Sequence, residues 1–177
     1  MRLTPGAPAR HIRLPAVDGS TFDTASLKGK PFMLSFFRFA SCPFCNLRLR
    51  EFVSRYDELG YDFSVVAVFD SALDNLMRHV QRHRAPFPIL ADADNAYYRA
   101  YGIEHSIVGV LKGMFLRTPT LLRAMFKGYI PTTIKGSMTT MPADFLIDRE
   151  GIIQVAYYGK DEGDHLPIDT VKEFSHR

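Results

Sequence analysis

Two cysteines three positions apart carry the most informative chemistry in this sequence of 177 residues. Cys42 and Cys45 follow the apolar segment 31–40 and precede a stretch with helical spacing, so we expect Cys42 at the start of a helix. Unpaired N–H groups and the positive end of the helix dipole favour an anion at that place. A thiol placed there has its pKa lowered from about 8.5 into the range of roughly 3.5–7.5. The sequence therefore predicts a reactive thiol at Cys42.

Cys45 lies one helical turn further on, where its side chain is expected on the same face as Cys42. Two thiols placed in this way perform dithiol exchange, in which the outer thiol attacks and the inner thiol resolves the mixed disulfide. We expect Cys42 at an exposed helix start and Cys45 to be more buried and less reactive. The nearby charge of Arg38 favours the Cys42 thiolate, whereas Phe39 and Phe44 oppose it by desolvation, which predicts a moderately lowered pKa.

Two other interpretations of the cysteine pair are weaker. The cysteines could be two small buried apolar residues. They could also bind zinc with His79 and His83, but 33 residues separate Cys45 from His79, against roughly 12–15 in a compact zinc finger. Both histidines lie among arginines on an amphipathic pattern, which is typical of a solvated basic helix face. We therefore expect no metal and no cofactor.

The composition limits the remaining possibilities. With 46% apolar residues, 23% charged residues and a formal net charge of +3, the chain has ordinary globular composition, and we expect a single domain over residues 1–177. The small positive excess gives no basis for nucleic-acid binding. Residues 1–8 contain no apolar segment typical of a signal peptide, so we expect a cytoplasmic protein, in which a lone cysteine pair is more often catalytic than structural.

Strand and helix patterns alternate along the chain, after an N-terminal stretch 1–30 that predicts a small hairpin or an extended arm. The predicted strands are 31–40, 63–69 and 86–90, followed by a hairpin of 144–148 and 152–158; the predicted helices follow Cys42 and cover 73–80, 95–101 and 169–174. Alternation followed by a hairpin predicts an α/β fold with a mixed central sheet that helices cover on both faces.

Residues 106–136 interrupt this order. Apolar side chains alternate there with cations, and between Arg99 and Lys135 there are six Lys or Arg and one acid, Glu104. About 30 residues are too few for an independent core, so we expect a helical insertion whose apolar residues are buried against the core or against a second copy, as in a homodimer. Contact with a membrane surface or a partner is the alternative, and the packed insertion with outward-pointing cations is favoured over it.

Three segments together carry a family resemblance. They are Lys28–Pro31 with the following SFFRFASCPFC, the segment MPADFLIDREG at 141–151, and the tail 158–167. This chain resembles the peroxiredoxin-like branch of the thioredoxin superfamily (alkyl hydroperoxide reductase and thiol-specific antioxidant type) that carries a C-x-x-C motif. The resemblance covers roughly residues 5–105 and 138–175 and implies a thioredoxin fold with an N-terminal extension.

The resemblance also implies roles for individual residues. Cys42 corresponds to the attacking, or peroxidatic, cysteine, and Cys45 to the thiol that resolves it through a redox-active disulfide. Pro142 corresponds to the cis-proline that lies beside the active thiol, and Met141 would present its backbone to the substrate. The alternative for Pro142 is a trans proline that starts an edge strand.

The sequence departs from the peroxiredoxin pattern at the residues that orient peroxide. Phe39 replaces the usual threonine, and Pro142 stands where typical members have an arginine. Phenylalanine cannot donate a hydrogen bond to peroxide, so Arg38 and Ser41 are the nearest candidates for positioning the substrate, although Arg38 could equally lie at the surface. The buried acid of thioredoxin is also absent from its position, which Phe36 occupies.

These features predict an antioxidant enzyme, a thiol-dependent oxidoreductase that reduces a peroxide or a disulfide and is regenerated by thioredoxin or glutathione. With peroxide, Cys42 would pass through a sulfenic acid before condensing with Cys45. General thiol–disulfide exchange is an alternative within the same chemistry. A non-enzymatic redox-sensing or binding module is the alternative outside it.

Overall fold

The computed structural model describes residues 1–129 and 137–177, and the side chains of these residues apart from 113–116. Its strands are β1 (Arg13–Pro15), β2 (Thr21–Asp23), β3 (Phe32–Phe36), β4 (Ser64–Phe69), β5 (Ile89–Ala91), β6 (Ala143–Ile147) and β7 (Ile153–Tyr158). Its helices are α1 (Pro43–Arg55), α2 (Leu73–Val80), α3 (Ala96–Ala100), α4 (Ile107–Leu116), α5 (Thr118–Phe126) and α6 (Ile168–Ser175).

The central sheet has five strands in the order β5-β4-β3-β6-β7. Strands β3, β4 and β5 are parallel, and β6 and β7 are antiparallel to their neighbours, which confirms the predicted mixed sheet. Every residue of β3 is buried because helices or the N-terminal arm cover both of its faces. Strand β5 begins later than the predicted 86–90, since Pro86 and Pro88 have no N–H to donate to a strand ladder.

Helices α1, α2 and α6 supply the apolar side chains on one face of the sheet. On the other face, α3 and the N-terminal arm pack against the sheet through Ile12, Leu14, Tyr98 and Tyr101. The predicted N-terminal hairpin is present as β1 paired antiparallel with β2. Between these two apolar layers, the chain passes from the carboxyl end of β3 through residues 37–42 into α1, and the cysteines lie at this junction.

The stretch 106–136 contains α4 and α5, and α5 packs against α1. Ala124 and Tyr129 are buried, but several large apolar side chains are exposed, so the expected burial is met only in part within this chain. The exposed set is Ile107, Val108, Leu111, Leu122, Met125 and Phe126. The end of the predicted insertion, residues 130–136, lies outside the described residues, and the assignment of 106–136 as an insertion stays a prediction. Among the described residues, no helix is long and apolar enough to cross a membrane.

Candidate redox site

The turn that carries the cysteines connects β3 to α1. Cys42 is the residue before the first helical position, and Pro43 occupies that first position, where its missing N–H would have no helical partner. The side-chain amide of Asn46 donates to the carbonyls of Ala40 and Cys42, at 2.9 Å each. These two bonds hold the turn in place, so the position of Cys42 is fixed by α1 itself.

His83 supports the same turn from the neighbouring helical segment. Its Nε2 lies 2.8 Å from Oδ1 of Asn46, and its ring stacks on Tyr129. Burial and the charges of Arg82 and Arg50 lower the pKa of His83 to about 4, so the imidazole is neutral near pH 7 and donates to the amide oxygen. His83 is thus partly buried and has a structural contact, which corrects the expectation that it lies on a solvated basic face.

Both cysteine side chains are buried, with 0% exposure each, and both are free thiols. The expectation of an exposed Cys42 is therefore wrong. The physical reason is Arg38, which is itself only 3% exposed and lies over the helix start. Its Nε donates to the carbonyl of Thr140 at 2.9 Å, and its NH2 group donates to the carbonyl of Met138. These bonds bring the segment before β6 to the cysteine turn.

Arg38 contacts both thiols. Its NH1 group lies 3.7 Å from the Cys42 sulfur, and its backbone N–H donates to the Cys45 sulfur at 3.3 Å. The guanidinium also lies over the ring of Phe39, at 5.3 Å from the ring centre. The structure therefore places Arg38 beside the cysteines rather than at the surface, which had been the alternative interpretation.

The two thiols have opposite electrostatic environments. Burial raises the pKa of Cys42, but a hydrogen bond from the Cys45 thiol, the charge of Arg38 and the N–H groups of Cys45 and Phe44 together lower it to about 7. Burial and the neighbouring Cys42 raise the pKa of Cys45 well above its ordinary value. Near neutral pH the proton therefore stays on Cys45, and the negative charge is favoured on Cys42.

Asp70, at the end of β4, anchors the segment that Arg38 contacts. Its Oδ2 accepts from the Thr140 hydroxyl at 2.8 Å and from the Ser137 N–H at 3.1 Å. Asp70 and Thr140 are both buried, at 2% and 1% exposure. A chain of contacts thus runs from Asp70 through Thr140 to Arg38 and on to Cys42.

Met141 and Pro142 follow Thr140 directly, but their peptide bond is trans, since the described residues contain no cis peptide bond. The expected cis bond is therefore wrong. Pro142 instead leads straight into β6, where its carbonyl accepts from the Gly159 N–H, and the Met141 N–H donates to the carbonyl of Glu104. The side chains of Met141 and Pro142 line a cleft together with Glu104 and Gly159. Their connection to Cys42 is indirect: the preceding residue, Thr140, contacts Arg38, and Arg38 contacts Cys42. Their role in positioning a substrate stays a prediction.

Ser41, the other predicted positioning residue, is buried in the turn at 2% exposure. It lies next to Cys42 in the chain, so it is close to the sulfur by connectivity. The structure therefore brings Arg38, Ser41, Cys42 and Cys45 together in one turn. Among the described residues, no group of His, Cys, Asp and Glu side chains could hold a metal ion.

The sheet contains a buried acid, although the sequence has none at the thioredoxin position. Asp144, on β6, is 0% exposed and pairs in register with Ser35 on β3. Its carboxylate accepts from the Ser35 hydroxyl at 2.5 Å, from the Leu166 N–H at 2.7 Å and from Nδ1 of His165 at 3.0 Å. Burial raises the pKa of Asp144, but His165, Arg48 and Ser35 lower it by more than burial raises it. The net effect is a pKa below the ordinary value, so Asp144 is ionised near neutral pH. The sequence feature that could have indicated this buried pair is that Ser35 and Asp144 are each the one polar residue in an otherwise apolar strand.

Comparison with known proteins classifies the chain. The model of the AhpC/TSA family matches residues 5–156. The chain belongs to the AhpC/TSA family. A Mycobacterium tuberculosis protein named as a peroxiredoxin is 28% identical over 170 residues, which cover 93% of this chain and 91% of that relative.

Solved structures agree with this AhpC/TSA assignment at the level of the fold. The peroxidoxin BcpB from Mycobacterium tuberculosis superposes with a TM-score of 0.69 at 15% identity, over 99% of this chain and 97% of that one. A thiol:disulfide interchange protein of the thioredoxin family from Chlorobium tepidum gives 0.56 at 23% identity, over 99% of both chains. The predicted thioredoxin fold is confirmed. This AhpC/TSA member is a thiol-dependent peroxidase or thiol–disulfide oxidoreductase.

Proposed function

We propose that this enzyme reduces hydroperoxides with Cys42 as the attacking thiolate and Cys45 as the resolving thiol. The observation that carries the proposal is the position of the Cys42 sulfur, which lies 3.7 Å from a buried guanidinium and at the start of α1. A pKa of about 7 makes Cys42 a nucleophile at neutral pH, since the thiolate is the reactive form. The higher pKa of Cys45 keeps a proton available beside it.

The reaction balances with these two thiols. The Cys42 thiolate attacks the outer oxygen of the hydroperoxide, the O–O bond breaks, and the alkoxide leaves and takes up a proton to become the alcohol. Cys42 is then a sulfenic acid, and Cys45 condenses with it to form a disulfide and water. A thiol reductant, either a thioredoxin-type protein or glutathione, returns both cysteines to thiols.

Arg38 is the proposed donor to peroxide in place of the family's usual groups. Phe39 and Pro142 stand where the threonine and arginine of typical members would be. Each of the three guanidinium nitrogens already has an acceptor, in Thr140, the Cys42 sulfur and Met138, and these contacts hold the group against the reacting atom. A guanidinium carries five N–H donors, so donors remain for the peroxide oxygens.

Thiol–disulfide exchange is the second candidate, and the C-x-x-C turn at the start of α1 favours it. In that case the Cys42 thiolate attacks a substrate disulfide and Cys45 resolves the mixed disulfide. Met141 and Pro142 would then contact the substrate chain.

The proposal also includes a cytoplasmic location and a homodimer that forms through the exposed apolar side chains of α4 and α5.

Stopped-flow kinetics separates the two candidates. The reduced protein is mixed with hydrogen peroxide, with cumene hydroperoxide and, in a third series, with insulin as a protein disulfide. The proposal expects rapid oxidation of the thiols by at least one hydroperoxide and much slower reaction with insulin. Faster reaction with insulin than with either hydroperoxide would favour the exchange function.

A further inference from the structure

A cleft lined with cations follows the outer side of α1, where α5 packs beside it. Its volume is about 440 Å³. The basic side chains that line it are Arg48, Arg50, Arg117, Arg123, Lys127 and His165. Glu51 is the only acidic residue among the described residues that line this cleft. We call it the basic cleft.

Three of the five Arg and Lys side chains that line the basic cleft have no ion pair within the described part of the chain. Arg48 pairs with Glu51 at 2.8 Å and Arg117 pairs with Asp161 at 2.6 Å. For Arg50, Arg123 and Lys127, the described part of the chain supplies no ion pair. Desolvation lowers the pKa of Lys127, and the charges of Arg50 and Arg123 lower it further because they repel the ammonium group. A bound anion would relieve this repulsion.

Two buried nitrogens of residues that line the cleft also have no hydrogen-bond partner within residues 1–129 and 137–177. His165 has a side chain only 4% exposed, and its Nδ1 lies 3.0 Å from Asp144 while its Nε2 has no partner among the described residues. Nε of Arg48, whose side chain is 8% exposed, has none there either. Buried polar atoms usually have a partner, and both of these atoms belong to side chains that line the basic cleft.

The basic cleft begins at the cysteine turn. Phe44, which lies between the two cysteines in the sequence, lines it. Gly163 also lines it, and so close to Phe44 and to Arg117 that a Cβ added there would lie 3.3 Å from Phe44 and 3.1 Å from Arg117. Glu162, in the same loop, is close enough to Arg38 for that charge to affect its pKa, which burial raises. A ligand in the cleft is therefore a neighbour of the redox site.

The cleft also continues away from the cysteines. A second cleft of about 420 Å³ shares Arg50, Ser54 and Lys127 with it and adds Arg82. Cationic groups therefore extend along α1 over both clefts. A ligand with two anionic groups therefore finds more than one unpaired cation on this surface.

We propose that the basic cleft binds a small organic thiol that carries two carboxylates and serves as the reductant. The inference rests on the proposed function, because it requires an oxidised pair to reduce. The ligand thiolate attacks one sulfur of the Cys42–Cys45 disulfide and displaces the other cysteine as a thiolate. A second thiol molecule attacks the resulting mixed disulfide, which releases the ligand as its own disulfide and restores the second cysteine.

Mercaptosuccinate is the probe, with neutral 2-mercaptoethanol as its uncharged counterpart. The rate at which each thiol reduces the oxidised protein is measured for the wild type and for two variants. One variant combines Arg50→Ala with Arg123→Ala. The other, Arg10→Ala, is the matched control, since Arg10 is an exposed arginine away from the cleft. We expect the double variant to lose about tenfold or more in the mercaptosuccinate rate, which corresponds to about 1.4 kcal/mol, and to keep the 2-mercaptoethanol rate. Equal loss with both thiols, or no loss, overturns the proposal.

Binding is measured separately so that failure of the cleft and failure of the redox function are distinguished. Mercaptosuccinate is titrated calorimetrically into the Cys42→Ser/Cys45→Ser protein, with and without the two arginine substitutions, and inorganic phosphate is titrated in parallel. Arginine-dependent binding of mercaptosuccinate supports the cleft even if the wild-type protein forms no disulfide, which would contradict the proposed function alone. Binding of phosphate as tight as that of mercaptosuccinate, or no binding, overturns the carboxylate-thiol proposal.

Discussion

The guanidinium of Arg38 lies 3.7 Å from the sulfur of Cys42. The two residues are four positions apart in the same turn, and both are buried. A positive charge at this distance favours the thiolate and opposes the cost of burying it. Because Thr140 and Met138 hold the same guanidinium, the reactivity of Cys42 depends on contacts that span the fold.

Replacing Arg38 by Met is expected to raise the pKa of Cys42 above its value of about 7, since the favourable charge is lost and the burial remains. The pKa is measured from the rate of iodoacetamide alkylation between pH 5 and pH 9. Arg38→Lys keeps the charge and serves as the control for folding and packing. An unchanged pKa in a folded Arg38→Met protein would show that Arg38 does not set the reactivity.

The wild-type alkylation profile should have its midpoint near pH 7 and fall about tenfold for each pH unit below it, because only the thiolate reacts. Cys42→Ser should abolish the rapid phase. Cys45→Ser should leave one fast thiol and allow one unresolved turnover with peroxide. The role assignment fails if Cys45 proves to be the faster thiol.

Much of this arrangement follows from local sequence patterns. The apolar run before the cysteines, the proline after Cys42 and the helical spacing beyond Cys45 together predict strand, turn and helix with the thiols between them. The fold was predictable because each of those elements is encoded within about a dozen neighbouring residues.

The remaining contacts are long-range, and no local pattern encodes them. Arg38, which covers Cys42, is held by the carbonyl of Thr140, 102 residues further along the chain. The carbonyl of Pro142 likewise accepts from the N–H of Gly159, on the far side of the β6–β7 hairpin. The sequence shows Asp144 only as a polar residue in an apolar strand, and its partner Ser35 became known only from the pairing of β3 with β6.

Thr140→Val removes the hydroxyl that donates to Asp70 and leaves a buried carboxylate oxygen with one donor fewer. A hydrogen bond to a charged group contributes about 1.5–3 kcal/mol, so we expect the free energy of unfolding to fall by that amount. Urea denaturation measures it, with Thr21→Val on the exposed edge of β2 as the control. Equal stability of the two variants would show that the Asp70 contact does not anchor this segment.

Ser35→Ala removes one donor from the buried Asp144 carboxylate and is expected to cost about 1.5–3 kcal/mol at pH 7. The pKa of Asp144 is lower in the folded protein than in the unfolded chain, so its stabilising contribution is complete above the unfolded value of about 3.9. The contribution is lost as the pH falls through the folded pKa. The stability difference between wild type and variant should therefore be constant from pH 7 to about pH 5 and shrink in more acidic solution. A difference that grows on acidification would contradict an ionised Asp144.

Mass spectrometry after one equivalent of hydroperoxide tests the central claim most directly. Wild-type protein should lose two hydrogens and yield a peptide in which Cys42 is joined to Cys45. The Cys45→Ser variant, treated in the presence of dimedone, should carry the sulfenic-acid adduct on Cys42. An adduct that forms on Cys45 in the Cys42→Ser variant at the same rate, or a wild-type protein that peroxide leaves unoxidised, would contradict Cys42 as the attacking thiol of a peroxidase.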